Sequence, residues 1–328
     1  MLKIRIVQHT AIKFVLDYRI SLSLHKTEPM NFIIYIIVYP IIWLISKMPF
    51  PLFYFMSDVF YFLLYRVVGY RKKTVRENIR LTMPELSEAE LKKVEKESFR
   101  HLCDIFLEMV KTFTISEAEL KKRFTFTNLD TVLEVEKQGK SVMLFCAHYA
   151  NWEWIIILDK FIKFQGYAVY KKINNPYFDA LIKRIRSRFD TVLVEMKETI
   201  RVIRQNEINQ NHGVYAFISD QSPMVSQANC WQNFMGIEVP VYTGGEALCK
   251  KFDMVPMYLN VEYVKRGHYK TTFVPLLKEG EQLKDIPNYE ITQRFLVEVE
   301  KQIRKAPAYY FWTHKRWKHR GNKPVNIK

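Results

Sequence analysis

The sequence predicts an α/β protein: a layered, mixed or mostly parallel sheet flanked by helices, with an N-terminal hydrophobic, membrane-associating helical region. Three observations carry this. From Ser141 onward short β-branched runs alternate with helix-length periodic segments, the pattern of strands joined through helices. Two apolar stretches come before, Met30–Ile45 and Pro51–Val68. And 328 residues are enough to bury a sizeable core as one large domain.

Taken in order, residues 1–29 read as an extension ahead of a second methionine, Met30, which opens the apolar region 30–69; residues 70–328 form the α/β domain. Neither apolar run reaches the roughly 20 clean residues of a full span. Pro40 interrupts the first, and Ser57, Asp58 and Arg66 mark the second. Either the first crosses the bilayer and the second lies along it, or both dock on one leaflet. No small-residue cleavage site follows, which argues against a secretory signal. Arg66, Arg71, Lys72, Lys73 and Arg76 place the domain on the cytoplasmic side by the positive-inside tendency.

Pro84–Lys111 is helix-periodic, with Leu86, Leu91, Val94, Phe99, Leu102, Ile105 and Phe106 as its apolar face. Ser87 and Glu90 have capping-box spacing. Strands are expected at 141–146, 167–170, 191–195, 213–219, 254–263 and 269–274, and helices at 152–164, 177–189, 197–206, 245–251 and 291–305.

The net charge of +16 calls for an anionic partner: nucleic acid, an anionic membrane or a phosphorylated substrate. Lys301–Lys328 holds nine Lys or Arg and no acid, interleaved with Tyr309, Tyr310, Trp312 and Trp317. That mixture suits RNA stacking or a lipid–water boundary; the apolar amino-terminal region favours the boundary, and no nucleic acid is expected. Four scattered cysteines without a C-x-x-C pair argue against a disulfide framework or a zinc site. No metal and no cofactor are expected, and without a G-x-G-x-x-G or P-loop nucleotide chemistry has no support.

The stretch Ser141–Trp154, SVMLFCAHYANWEW, carries the chemistry. A buried strand ends near Cys146, His148 lies in the turn, and Asn151 is positioned to cap a helix beginning at Trp152. Strand carboxyl ends are where open α/β folds gather functional groups. On one continuous helix Glu153 would point about 140° away from His148. The two meet only if His148 is on the loop and Glu153 in the first helical turn. There the carboxylate fixes the imidazole tautomer and leaves the other nitrogen to take a proton from a hydroxyl. A first-turn Glu also suits the helix dipole, and a histidine among aromatics is often structural.

HYANWE resembles the H-x4-D/E block of the lysophospholipid acyltransferases, and its H-x-x-N-W-E form that of the bacterial lipid A late acyltransferases. Other blocks follow in that family's order: Asn174-Asn175-Pro176 with Asp179 and Arg186, then Ile218-Ser219-Asp220-Gln221, then Tyr310–Lys318, similar to a W-x-H-R-R-[FW]-K signature. Tyr70-Arg71, Asn78 and Pro84-Glu85 also fit, so the likeness covers roughly Met30–Arg320.

The resemblance implies an O-acyltransferase that moves a fatty acyl chain from an acyl-acyl carrier protein thioester to a lipid A precursor of the Kdo-lipid IVA type, at the inner membrane. His148 is then the base and Glu153 its orienter. Asn151, Arg186, Asp220, Gln221, His314 and Arg316 bind substrate or stabilise the anion, with Arg184 or Arg188 as alternatives to Arg186. Without a G-x-S-x-G elbow, direct transfer is favoured over an acyl-enzyme. Lys171 departs from the family, where arginine often follows the tyrosine, which removes a bidentate contact. The aromatic insert Pro223–Tyr242, with Trp231, Phe234, Met235 and Val239, either lines an acyl channel or packs the core. A lysophospholipid or aminolipid acceptor is the nearer alternative, a basic nucleic-acid-binding protein the more distant one.

Overall fold

A computed structural model describes residues 29–324; the expected extension over 1–29 lies outside them apart from Pro29. The chain begins with α1 (Pro29–Lys47) and α2 (Phe50–Tyr61), the latter continuing as a π-helical segment, Phe62–Val68. By length and composition both are apolar enough to cross a membrane. Pro40 lies within α1 without ending it. Their outward faces, including Ile33, Ile37, Ile41, Leu52, Phe55 and Val67, are exposed. Gly69, at φ +67°, closes the π segment.

Next come α3 (Lys72–Thr82), α4 (Glu88–Lys111) and α5 (Glu117–Arg123). Ser87 caps α4 with the expected reciprocal box: its Oγ accepts from Glu90 N while its own N donates to the Glu90 carboxylate. Phe106, read as part of the apolar face, instead points outward.

The remaining elements are β1 (Phe124–Phe126), α6 (Asp130–Lys137), β2 (Val142–Cys146), β3 (Gln165–Tyr170), α7 (Pro176–Arg186), β4 (Val192–Glu195), α8 (Thr199–Ile208) and β5 (Gly213–Ile218). A hairpin, β6 (Trp231–Phe234) and β7 (Ile237–Pro240), precedes α9 (Gly244–Phe252), β8 (Val255–Lys265), β9 (His268–Pro275) and α10 (Glu290–Lys305). Seven strands form one sheet in the order β1-β9-β8-β2-β5-β3-β4, parallel throughout except for the β8–β9 pair. The expected mostly parallel, helix-flanked sheet is therefore present. β2 lies between β5 and β8, and all five of its residues are buried, which explains its unbroken apolar sequence.

In the insert after β5, Trp231, Phe234, Met235 and Val239 are all buried and pack in the core, and Phe234 stacks on Trp317. Tyr310, Trp312 and Trp317 are buried too. The aromatics of the carboxyl-terminal segment thus serve packing, and neither RNA nor lipid can stack on these three. Four cysteines stay reduced and buried.

Candidate active site

β2 and β5 are parallel neighbours with Cys146 opposite Ile218. His148 and Asp220 each stand two residues beyond those paired ends, so the topology delivers them to the same place. Asp220 Oδ1 lies 2.7 Å from His148 Nδ1, and Gln221 Nε2 lies 3.2 Å from His148 Nε2. With Nδ1–H donating to the carboxylate, Nε2 keeps its lone pair and accepts from the Gln221 amide. Burial alone would raise the Asp220 carboxyl. The His148 ring, its hydrogen bond and the Arg316 charge outweigh that and hold it below its usual value.

Glu153 does not take the role expected of it. It begins a 3-10 helix, Glu153–Lys160, where an α-helix was expected. Its two oxygens accept from Arg186 Nε and Nη2 at 2.8 and 2.5 Å, a bidentate pair. The tighter helix turns the carboxylate toward α7, and Asp220 occupies the place beside the imidazole. Arg186 is the arginine so engaged; Arg188 donates instead to the Thr112 and Ile115 carbonyls.

The loop between His148 and Glu153 is held from several sides. Ala150 has φ +47°, costly for a residue with a Cβ, and its N–H donates to Tyr309 O. Tyr149 pairs with Tyr310 in an antiparallel bridge, and Phe311 N donates to His148 O at 3.0 Å. Phe311 also stacks along the imidazole while Trp152 meets it edge-on. The carboxyl-terminal segment is thus one wall of the site. It is braced in turn by Asn78, whose Nδ2 donates to the Trp312 and His314 carbonyls, and by Arg71, which donates to Thr313 O.

Asn151 is fully buried. Its Oδ1 accepts from Trp154 N and its Nδ2 donates to Glu108 Oε2, so both ends of its amide are engaged in shaping the loop. Arg316, expected on a basic surface, is fully buried as well: Nη1 donates to Pro240 O and the guanidinium lies 5.3 Å from the Phe234 ring. Its Nε and Nη2 have no partner among the described residues, and burial lowers its pKa while its charge acts on Asp220. Burial pushes His314 down to about 4, keeping it neutral. Asn175 caps α7, and Asp179 accepts from Ile173 N; both shape the turn ahead of Arg186. Among the described residues no cluster could hold a metal ion. The Cys146 thiol, two residues before His148, is raised by burial and then by Asp220, which disfavours the nucleophilic thiolate.

A histidine braced by a buried carboxylate at adjacent parallel strand ends is a group that can act as a base. The family model for bacterial lipid A biosynthesis acyltransferases matches residues 22–319, and the chain belongs to that family. It is 22% identical over 283 residues to the lipid A biosynthesis palmitoleoyltransferase of Escherichia coli (strain K12), covering 85% of this chain and 89% of that one. Against the lipid A biosynthesis lauroyltransferase of the same organism it is 23% identical over 296 residues, covering 85% and 90%.

Proposed function

We propose that the protein transfers a fatty acyl chain from an acyl-acyl carrier protein thioester to a hydroxyl of a lipid A precursor of the Kdo-lipid IVA type. The reaction takes place at the cytoplasmic face of the bacterial inner membrane. The observation that carries the mechanism is the Asp220–His148 pair with Nε2 turned toward Gln221. In this reading the acceptor hydroxyl displaces the Gln221 amide from Nε2. Its oxygen attacks the thioester carbonyl carbon as its proton passes to Nε2, forming a C–O bond and a tetrahedral oxyanion. Asp220 stabilises the imidazolium that results. Collapse breaks the C–S bond, and the leaving thiolate recovers the proton from Nε2. Ester and carrier thiol are the products, with the base restored.

Glu153 and Arg186 are then a linked pair that fixes the first turn beyond the loop. The apolar outer faces of α1 and α2 support docking at a membrane, with exposed Lys315, Lys318 and Arg320 adding attraction to anionic headgroups. The decisive experiment incubates the purified chain in vesicles with acyl-acyl carrier protein and Kdo-lipid IVA, followed by mass spectrometry. One added acyl chain is expected. Transfer to a lysophospholipid or aminolipid and none to Kdo-lipid IVA would reassign the acceptor.

A further inference from the structure

The inner side of α4 carries three buried carboxylates, Glu95, Asp104 and Glu108. Each is met by α2 or its π-helical continuation. Tyr65 Oη donates to Glu95 Oε1 at 2.8 Å, Ser57 Oγ to Asp104 Oδ1 at 2.6 Å, and Tyr54 Oη to Glu108 Oε1 at 2.8 Å. Rising positions on one helix meet falling positions on the other, so the rungs form an antiparallel ladder. The outward face of α2 is apolar and exposed; its inward face is hydrogen-bonded. Apolar burial is non-directional, whereas these rungs fix the register of α2 on α4.

Glu108 is the rung that continues into the His148 loop. Asn151 Nδ2 donates to its Oε2 at 2.6 Å, and Tyr269 Oη of β9 donates to the same oxygen at 2.8 Å. Trp154, whose N–H holds the other end of the Asn151 amide, returns to α4 through its indole Nε1, which donates to Glu108 O and Thr112 Oγ1. An ionised carboxylate accepts from all three side-chain donors. A protonated or amide side chain must present a hydrogen to this ring of donors and so disturbs the arrangement.

We infer that Glu108 is a positioning residue whose carboxylate transmits the seating of α2 on α4 to Asn151, and so fixes the loop that carries His148. The inference rests on the reading of His148 as the base. It assigns the membrane-facing helix a part in catalysis beyond anchorage.

The groups facing Glu108 are Asp104 on its own helix, Tyr54 on α2, Tyr269 on β9 and Asn151 on the loop. Arg266 pairs with Asp104 and with Asp58 of α2. His101, beside Tyr269, is pushed by burial down to about 3 and stays neutral. Burial and then Asp104 push Glu108 up to about 7, against the three hydrogen bonds that favour its charge. The carboxylate hub is therefore intact above that pH and neutralised as the pH falls through it.

The test compares wild type, Glu108→Gln and Tyr54→Phe as full-length protein in phosphatidylethanolamine–phosphatidylglycerol vesicles, with kcat measured from about pH 5.5 to 8.5. Glu108→Gln should lower kcat about tenfold at the alkaline end, with KM little changed. The gap should close as the wild-type hub is itself neutralised. A ratio constant with pH would overturn the inference. If Glu108→Gln fails to fold, Tyr54→Phe decides: loss of a donor that favours the charged form must move the acid limb to higher pH, and an unmoved limb refutes. Hydrogen exchange over residues 147–154 gives a readout independent of the acceptor. Faster exchange in the variants is expected, and unchanged exchange would sink the inference even where transfer is seen. Faster exchange with no wild-type transfer would count against the proposed function alone.

Discussion

Replacing Asp220 by asparagine preserves size while removing the charge that meets His148 Nδ1 at 2.7 Å. The amide presents either its nitrogen or its oxygen to the ring. With the nitrogen inward, Nδ1 must accept, the proton moves to Nε2, and the atom that should act as base becomes a donor. With the oxygen inward the tautomer survives, but the imidazolium formed in the transition state loses its counter-charge. Positioned general-base catalysis is worth about 10²–10⁴-fold, and disabling it should lower kcat by at least the smaller figure. KM should barely move, because Asp220 is only 1% exposed. The assay is steady-state acyl transfer in vesicles, with folding checked by thermal melting. Combining the change with His148→Ala should cost no more than His148→Ala alone, since both remove one function. An Asp220→Asn enzyme within about threefold of wild type, alongside a dead Glu153→Gln, would refute this account and restore Glu153 as the orienter.

Arg186→Met strands the largely covered Glu153 carboxylate and should destabilise the protein by about 1–3 kcal/mol in a denaturant melt; Arg186→Met with Glu153→Met should recover most of it. Neutralising Lys315, Lys318 and Arg320 together should raise KM for the lipid acceptor and flatten its salt dependence, at roughly 1 kcal/mol per charge near an anionic surface, leaving kcat nearly unchanged. Gly245 leaves no room for a side chain, since an added Cβ would stand 2.7 Å from the Phe145 ring on β2. Gly245→Ala should therefore cost about 1–3 kcal/mol by overpacking, read by melting.

The sheet was legible because β2, β5 and β8 are apolar runs bounded by polar turns, and His148 and Asp220 each follow such a run. Their pairing was within reach of the same reasoning: two parallel neighbours, each with a functional residue two positions past its end. What hid it was proximity in sequence, which made Glu153 the nearer candidate, and the 3-10 geometry that turns Glu153 to Arg186 has no marker in WEWIIILDK. Short elements such as β1 and α6 went unrecognised because three or eight residues give too little periodicity. Arg316 read as one charge of a basic, aromatic-interleaved segment and, by resemblance, as an anion-binding group; its burial follows from Phe234 and Pro240, which lie far away in the chain. Glu95, Asp104 and Glu108 lie outside the apolar face read for that helix, and the seating of α2, joined at Glu108 by β9 and the His148 loop, makes them interior.

The bridge between Tyr149 and Tyr310 also fixes when the enzyme can exist. Synthesis delivers the apolar helices before the strands that bear His148 and Asp220, and the wall formed by Tyr309–Thr313 after both. Until then Ala150 has no carbonyl to hold its strained backbone and the imidazole has no stacking partner. The His148 loop is thus complete only once that later segment folds back onto it. A chain that lacks Tyr309–Thr313 should accordingly leave the His148 loop without its backbone partners.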